Sequence, residues 1–442
     1  MGDRTFHGGV HPAEHKELSC KAPLVPYIPK GELVFLMNQH IGKPAAPIVQ
    51  KGDRVLAGQR IAEATGFVSA NIFSSVSGTV KAIEPRPTAA GPMAQAIVIT
   101  PDGENTLAEG IGTQTNYLDL TNQEILDRIK AAGIVGMGGA GFPTHVKLTV
   151  KDPNKIRYVI ANGAECEPYI TCDDQLMQSH AEEIVTGIEI ILRLFPQAHG
   201  VVCIENNKPD AIAAMKAACE GRGRISVMPM KTKYPQGGER SLISVVASRH
   251  LKLGMLPADA GCVVDNVASI RAVYRAVCLN EPLMERGVTV SGDSVKNPGN
   301  FWVKIGTSSR ELVDACGGWN EGLEPEKVLS GGPMMGIPLV NLDVPICKNN
   351  NAITALSVDP VSAAPMTACL RCGRCNRVCP LGLSPQLMQV AAQHKDYERY
   401  EKRLYGLECI ACGCCTYICP AKRPLMQLFK VTKAEIMATK KR

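Results

Sequence analysis

Apolar positions change rhythm along the chain, and the changes divide it. From residue 1 to about 112 they come in short runs broken by Gly, Pro and Asp. Gly52-Asp53-Arg54-Val55, Gly58-Gln59-Arg60-Ile61-Ala62 and Val76-Ser77-Gly78-Thr79-Val80 each read as a short strand bounded by a turn. Residues 121–132 switch to a helical period. Ile125, Leu126 and Ile129 form one stripe, and Thr121 with Glu124 has the spacing of a capping box. Strand and helix then alternate: a strand at 156–161, a helix at 181–194, a strand at 201–204 and a helix at 209–219. That alternation predicts an α/β layer on a largely parallel sheet. Short strands and glycine turns return at 288–292, 301–303 and 328–333. Residues 347–366, with Asn349-Asn350-Asn351 and several Pro and Ala, read as a linker. Ser384-Pro385 is an N-cap followed by a first-turn proline, and the helix it opens is expected to run to Tyr397 or beyond.

No run reaches the ~18 apolar residues of a membrane helix. The best, Ile184 to Phe195, is broken by Glu189 and Arg193. Met1 to Gly9 lack an apolar core, so no signal peptide is expected. The net charge of +6 is mild, and aromatics make up 5% without basic–aromatic interleaving, so nucleic acid is not an expected partner. Basic residues gather at the end: Lys422, Arg423, Lys430, Lys433, Lys440, Lys441 and Arg442 against Glu435 alone. Residues 431–442 therefore read as a basic tail, either solvated or docking on an acidic partner or lipid head groups.

The 18 cysteines sharpen the picture. Nine lie between Cys369 and Cys419, and nine are scattered singly from Cys20 to Cys347. At about 4% of positions they are too sparse for a disulfide scaffold, and their clustering favours metal ligation. Cys369, Cys372, Cys375 and Cys379-Pro380 make one run; Cys409, Cys412, Cys415 and Cys419-Pro420 repeat it. This is the spacing of bacterial ferredoxins, in which three thiolates on a tight loop cap one cubic cluster and the fourth reaches the other cluster. The expected ligand sets are crossed. One is Cys369, Cys372, Cys375 and Cys419; the other is Cys409, Cys412, Cys415 and Cys379. Zinc is the alternative metal, but zinc ribbons rarely carry three thiolates in this run. Cys414 stands beside a ligand and reads as a buried spectator.

Gly136-x-Gly138-x-x-Gly141 matches a dinucleotide fingerprint, yet a helix precedes it where that motif needs a strand. What survives is a backbone that lies close to a ring or phosphate, with Lys147 nearby as a cation. The loop from Gly138 to Thr144 with Lys147 resembles the flavin loop of the NADH-oxidising flavoprotein subunit of respiratory complex I. Asn162-Gly163-Ala164-Glu165-Cys166-Glu167-Pro168, Tyr234-x-x-Gly237-Gly238-Glu239 and Asp265-Asn266-Val267 resemble three further segments of that family, in the same order. The N-terminal strands resemble the barrel-sandwich of biotinyl and lipoyl carriers. Their modified lysine is missing from the tip Ser69-Ala70-Asn71-Ile72-Phe73, which reads as a structural or docking module.

With Gly8-Gly9-Val10-His11-Pro12 and Gln39-His40-Ile41-Gly42 ahead of the flavin loop and a twin ferredoxin module behind it, the whole chain resembles the RnfC family, a component of the Rnf ion-translocating electron-transport complexes. The resemblance implies a multidomain α/β and β fold. Its parts are a barrel-sandwich hybrid (1–112), an α/β FMN/NADH-binding domain (113–285), a small β-grasp domain (286–346), the linker (347–366), a helical twin [4Fe-4S] ferredoxin domain (367–430) and the tail (431–442). It also implies FMN lined by Gly136, Gly138, Gly139 and Gly141, with Lys147 at its phosphate and Asn162, Glu165, Gly237, Gly238 and Asn266 at its ring and ribityl groups. Phe142 would stack on adenine, and Tyr234, Glu167, Glu239 and Lys252 belong to the same pocket. Ala164, Gly238 and Val150 depart from the family pattern. The implied activity is transfer of electrons between NAD(H) and ferredoxin through FMN and two [4Fe-4S] clusters. The implied location is the cytoplasmic side of the cell membrane, peripheral, beside membrane-embedded and ferredoxin-like subunits. A soluble cobalamin reductase is the alternative, although such proteins generally begin near the flavin loop. A relay scaffold with a decayed flavin pocket is the non-enzymatic one.

Overall fold

The computed structural model describes residues 4–252, 254–359 and 363–440. Met1, Gly2 and Asp3, part of the linker at 360–362, and Lys441 and Arg442 of the tail lie outside them. The described residues form four sheets.

Two belong to the barrel-sandwich. Leu33–Leu36, Met93–Pro101, Gly78–Pro87 and Arg54–Val55 make one; Ala46–Pro47, Arg60–Glu63 and Ile72–Phe73 make the other. Alternate side chains of these strands, among them Leu33, Phe35, Ile61, Ile72, Ile97 and Ile99, are fully buried between them.

The third sheet is parallel throughout, in the spatial order Ile225–Met230, His199–Glu205, Tyr158–Gly163, Cys262–Asn266. Val159–Ala161 and Val201–Ile204 of its two central strands are buried apolar runs because helices cover both faces. The helix Asn122–Ala131 begins at the expected capping box: Glu124 N–H donates to Thr121 Oγ1 at 3.2 Å, and Thr121 N–H to Glu124 Oε2 at 2.7 Å. Thr121→Ala is expected to lower the local stability of this helix by about 1 kcal/mol. Faster hydrogen exchange of its first-turn amides would report that loss.

The fourth sheet corrects two domain boundaries. Its order is Leu24–Tyr27, Gly299–Lys304, Glu285–Ser291, Ala352–Leu356, Lys327–Ser330, Ile337–Pro338. Residues 352–356, expected in a linker, form a central strand that is buried along its whole length. Burial on both faces removes the polar alternation by which a strand is recognised. Leu24–Tyr27, expected in the barrel-sandwich, pairs in parallel with Asn300–Val303 instead. The helix Ser309–Ala315 covers this sheet with Leu312 and Val313.

The cysteine module is helical. The helix from Pro385 stops at Gln393, earlier than expected, because Lys395 turns left-handed at φ 54°; a separate turn at Arg399–Arg403 follows. The basic tail is corrected to the second half of the helix Leu425–Lys440. Thr432 and Ile436 are buried there, and Lys433 Nζ donates to Leu407 O at 2.8 Å.

Candidate functional site: a flavin cradle and two cysteine sets

The parallel sheet creates the first site. From Tyr158–Gly163 the chain adds strands on one side, then crosses back to lay Cys262–Asn266 on the other. The carboxyl ends of these two strands flank a topological switch point, where open α/β sheets bind ligands. Asn162 and Asn266 are paired in register there.

The glycine loop rises beside them. Gly136 N–H donates to Phe142 O at 2.8 Å and closes the excursion. Gly138 and Gly141 have φ of +77° and +72°, which side chains rarely adopt. Gly138 lies against Asn266 Nδ2, while a Cβ at Gly139 would meet open space. Three other elements tie the loop down. Asn349 Nδ2 donates to Gly139 O at 3.2 Å, Ile41 N–H to Gly141 O at 3.1 Å, and Met137 N–H to Ser269 Oγ at 2.8 Å.

Lys147 stands under the loop. Its ammonium donates to Val264 O at 2.9 Å and Asp265 Oδ1 at 3.1 Å, which, among the described residues, leaves one of its three protons for a ligand. Burial lowers its pKa, but the carboxylates of Asp265 and Glu239 outweigh burial and hold it above the ordinary value. Among the described residues, Asp265 Oδ2 is buried without a hydrogen-bond partner. A glycine-floored cradle with a cation, an unpartnered carboxylate oxygen and two asparagines suits a flat ligand that carries hydroxyls and a phosphate. FMN fits it.

Asn162 Nδ2 donates to Gly237 O at 2.9 Å, and Gly238 caps the helix Glu239–Ala247. Asn266 caps the helix Val267–Leu279 and donates to Asp173 Oδ2 at 2.6 Å. Phe142 is half-buried beside the loop, and Lys252 is exposed in the segment after Ala247.

Three residues expected at the cofactor have partners within the protein itself. Glu165 accepts from the N–H groups of Asp173 at 2.7 Å and Asp174 at 3.4 Å, with Lys16 Nζ at 3.9 Å. Burial pushes its carboxyl up, against the pull of Lys16. Glu167 accepts from Met334 N–H at 3.0 Å and Met335 N–H at 2.8 Å, binding the flavoprotein domain to the β-grasp domain. Burial pushes it up to about 7. Both carboxylates turn inward because these backbone N–H groups need buried acceptors. Tyr234 is 2% exposed and packs with Val10, Met334, Cys412 and Cys414, with Cys166 at the edge of the group. It is a seam residue facing the cysteine module.

The cysteines gather as two sets of four. Cys369, Cys372, Cys375 and Cys419 line one cavity; Cys379, Cys409, Cys412 and Cys415 line another, with Cys414 at its wall. In the second set, burial and then the neighbours Cys409, Cys412 and Cys379 push Cys415 upward. Four crowded thiols cannot all ionise without a cationic core, which is the chemistry of an iron–sulfur site. The second set is inner. Cys412 and Cys415 are buried, Cys414 Sγ approaches Tyr234 O at 3.9 Å, and Arg240 of the flavoprotein domain pairs with Glu408 at 2.7 Å. The first set is outer, with Cys369 and Cys372 exposed.

Comparison with known proteins agrees with this layout. Residues 129–275 match the model of the Nuo51 FMN-binding domain, 4–104 the RnfC barrel sandwich hybrid domain, 288–338 the SLBB domain and 365–420 a 4Fe-4S dicluster domain. A component of the proton-translocating ferredoxin:NAD(+) oxidoreductase complex of Clostridium ljungdahlii is 43% identical, with 99% of this chain and 95% of that one aligned. This chain belongs to the RnfC family of ion-translocating ferredoxin:NAD(+) oxidoreductase complexes.

Other members of the RnfC family are as similar. The corresponding component of the Na(+)-translocating complex of Acetobacterium woodii is 41% identical over 99% of this chain and 98% of its own. That of the ion-translocating oxidoreductase complex of Rhodobacter capsulatus is 42% identical over 98% and 83%. These relatives do not favour the cobalamin-reductase alternative. An NAD+-reducing [NiFe]-hydrogenase shares the fold over 73% of this chain and 62% of its own, at 19% identity and a TM-score of 0.51. As an RnfC protein, the chain is an oxidoreductase component with FMN and [4Fe-4S] clusters. Among the described residues no helix is long and apolar enough to cross a membrane.

The sequence carries no signal for Lys348 or Asn349. Lys348 is fully buried and donates to Asn71 O and Gly133 O, between the barrel-sandwich and the glycine loop.

Proposed function

We propose that this chain is the NAD(H)-reacting member of a membrane-bound, ion-translocating complex, held peripherally on the cytoplasmic side by its partner proteins. It exchanges electrons between NAD(H) and a ferredoxin-type carrier. The observation that carries this reading is the seam. The inner cysteine set lies against the same Cys166–Tyr234–Gly237 region that closes the flavin cradle.

The chemistry supplied by bound FMN is interconversion of two-electron hydride transfer and one-electron transfer. The chain's own part is position and electrostatics. Gly138, Gly139 and Gly141 would let the backbone approach the ring, and Lys147 would supply a hydrogen-bonding proton to the phosphate. Asn162 and Asn266 orient polar groups at the strand ends. The packed seam excludes water between cradle and cysteines. Cys379, Cys409, Cys412 and Cys415 would hold the inner cluster. Cys369, Cys372, Cys375 and Cys419 would hold the outer one, where exposed Cys369 and Cys372 make it the port for a partner.

Anaerobically purified protein is expected to carry about one FMN and about eight irons, the content of two cubic clusters. It should reduce an artificial acceptor with NADH. Flavin-free protein without NADH turnover overturns the reading, and about four irons removes the twin-cluster assignment.

A further inference from the structure

We propose that residues 4–10 form a positioning strap that sets the inner cysteine set against the flavoprotein domain, with Gly8 and Gly9 as its critical residues. The proposal rests on the electron-transfer reading above and extends it to a segment outside both barrel sheets, whose first strand begins at Leu33.

One side of the strap is bonded to the flavoprotein domain. Lys231 N–H donates to Arg4 O at 3.1 Å, and Thr5 Oγ1 to Gln236 Oε1 at 3.2 Å. Lys233 Nζ donates to Phe6 O at 2.8 Å and lies over the Phe6 ring, 4.5 Å from its centroid. Val10 and Tyr234 exchange both backbone hydrogen bonds, at 2.8 and 2.9 Å. The other side meets the cysteine module. Gly9 N–H donates to Val378 O at 2.8 Å, next to the inner-set Cys379. The strap is thus a backbone bridge between the two halves of the electron path.

No other residue type fits at the bridge. Gly8 and Gly9 have φ of +80° and +79°. A Cβ on Gly8 would lie 2.8 Å from Cys379 O, and one on Gly9 would lie 2.6 Å from Tyr234 O. Both obstacles are main-chain atoms, so an added methyl cannot be met by rotating a side chain. It must push the strap away from the cysteine loop or from Tyr234. Transfer between redox centres falls steeply with separation, so a cysteine loop displaced from the flavoprotein domain takes up electrons more slowly.

The test is Gly9→Ala in the full chain. FMN content, iron content and the rate of flavin reduction by NADH are expected to match the parent. Rapid-mixing reduction of the clusters by NADH is expected to slow several-fold. Phe6→Ala, which loosens the strap through a side chain alone, is expected to slow it less. Unchanged cluster reduction in Gly9→Ala overturns the proposal, and so does loss of FMN with it, which would make the segment part of the flavin fold. Hydrogen exchange keeps the test independent of NADH chemistry. The amides of 374–379 should exchange faster in Gly9→Ala, or in Phe6→Ala if the first variant does not fold. Unchanged exchange overturns the strap even if the parent passes no electrons, whereas a parent that passes none overturns only the functional reading.

Discussion

Cys379→Ala is expected to abolish the cluster of the second motif, although Cys379 belongs to the first motif in sequence. Its sulfur lines the cavity of Cys409, Cys412 and Cys415, thirty or more positions away along the chain. Iron should fall from about eight to about four per chain, because a cubic cluster that loses a thiolate ligand loses its hold. The surviving signal should be that of the outer cluster. Cys419→Ala should give the opposite result, since Cys419 lines the cavity of Cys369, Cys372 and Cys375. The two variants also separate the functions of the sets. Cys379→Ala should keep NADH-driven reduction of a small artificial acceptor at the flavin but stop electrons from reaching the outer cluster. Cys419→Ala should still show reduction of the inner cluster. Electron paramagnetic resonance of the two variants reads this directly. If Cys379→Ala and Cys372→Ala lose the same cluster, the crossed grouping is wrong.

Lys348→Ala is the second large effect. The side chain is fully buried and spans three domains. Its ammonium donates to Asn71 O and Gly133 O, its backbone N–H to Gln39 Oε1 at 3.1 Å, and its carbonyl accepts from Arg286 Nη1 at 3.1 Å. Truncation leaves a cavity and unpaired carbonyls, at a cost of about 2–5 kcal/mol. It should also weaken FMN retention, because neighbouring Asn349 holds Gly139.

The pH dependence has a definite sign. Burial pushes Lys348 down to about 7 from its ordinary 10.5. Burial, then the nearness of Lys348, pushes His40 down to about 4, so His40 is neutral across the range concerned. Between pH 7 and 10.5 the unfolded chain keeps the Lys348 proton and the folded chain sheds it. Stability from this group therefore rises with pH across that window, by up to about 1.4 kcal/mol per unit, and falls as pH returns to 7. Denaturant unfolding of the parent against Lys348→Met isolates the group. The parent should gain on the variant between pH 7 and 10. A constant difference would mean that the lysine stays charged when buried.

Much of the site is local in origin and was legible. The capping box at Thr121, the glycines of the 136–141 loop and the thiolate spacing each work within about ten residues, so the sequence carries them whole. Asn162 and Asn266 were legible only through family resemblance, since their meeting depends on two parallel strands about a hundred residues apart. The backbone partners of Glu165 and Glu167 were not legible, because nothing in an acidic motif tells whether its carboxylates meet a ligand or a backbone N–H. The strand 352–356 was missed because a segment buried on both faces has no polar alternation. Lys348 was missed because a lysine in an Asn-rich stretch looks like solvated surface.

The sequence alone determined the parts: a glycine-rich loop, two thiolate runs and the order of domains. These follow from residue spacing, which short-range sterics and bonding geometry turn into structure. The tertiary structure decided how the parts join. It made the Cys379 set inner and the Cys369 set outer, aimed the carboxylates inward, and bound residues 4–10 and 348–349 across domains. Most of those outcomes depend on packing between segments 100 to 370 positions apart, where the favourable partner is set by burial and by which backbone groups are left to satisfy.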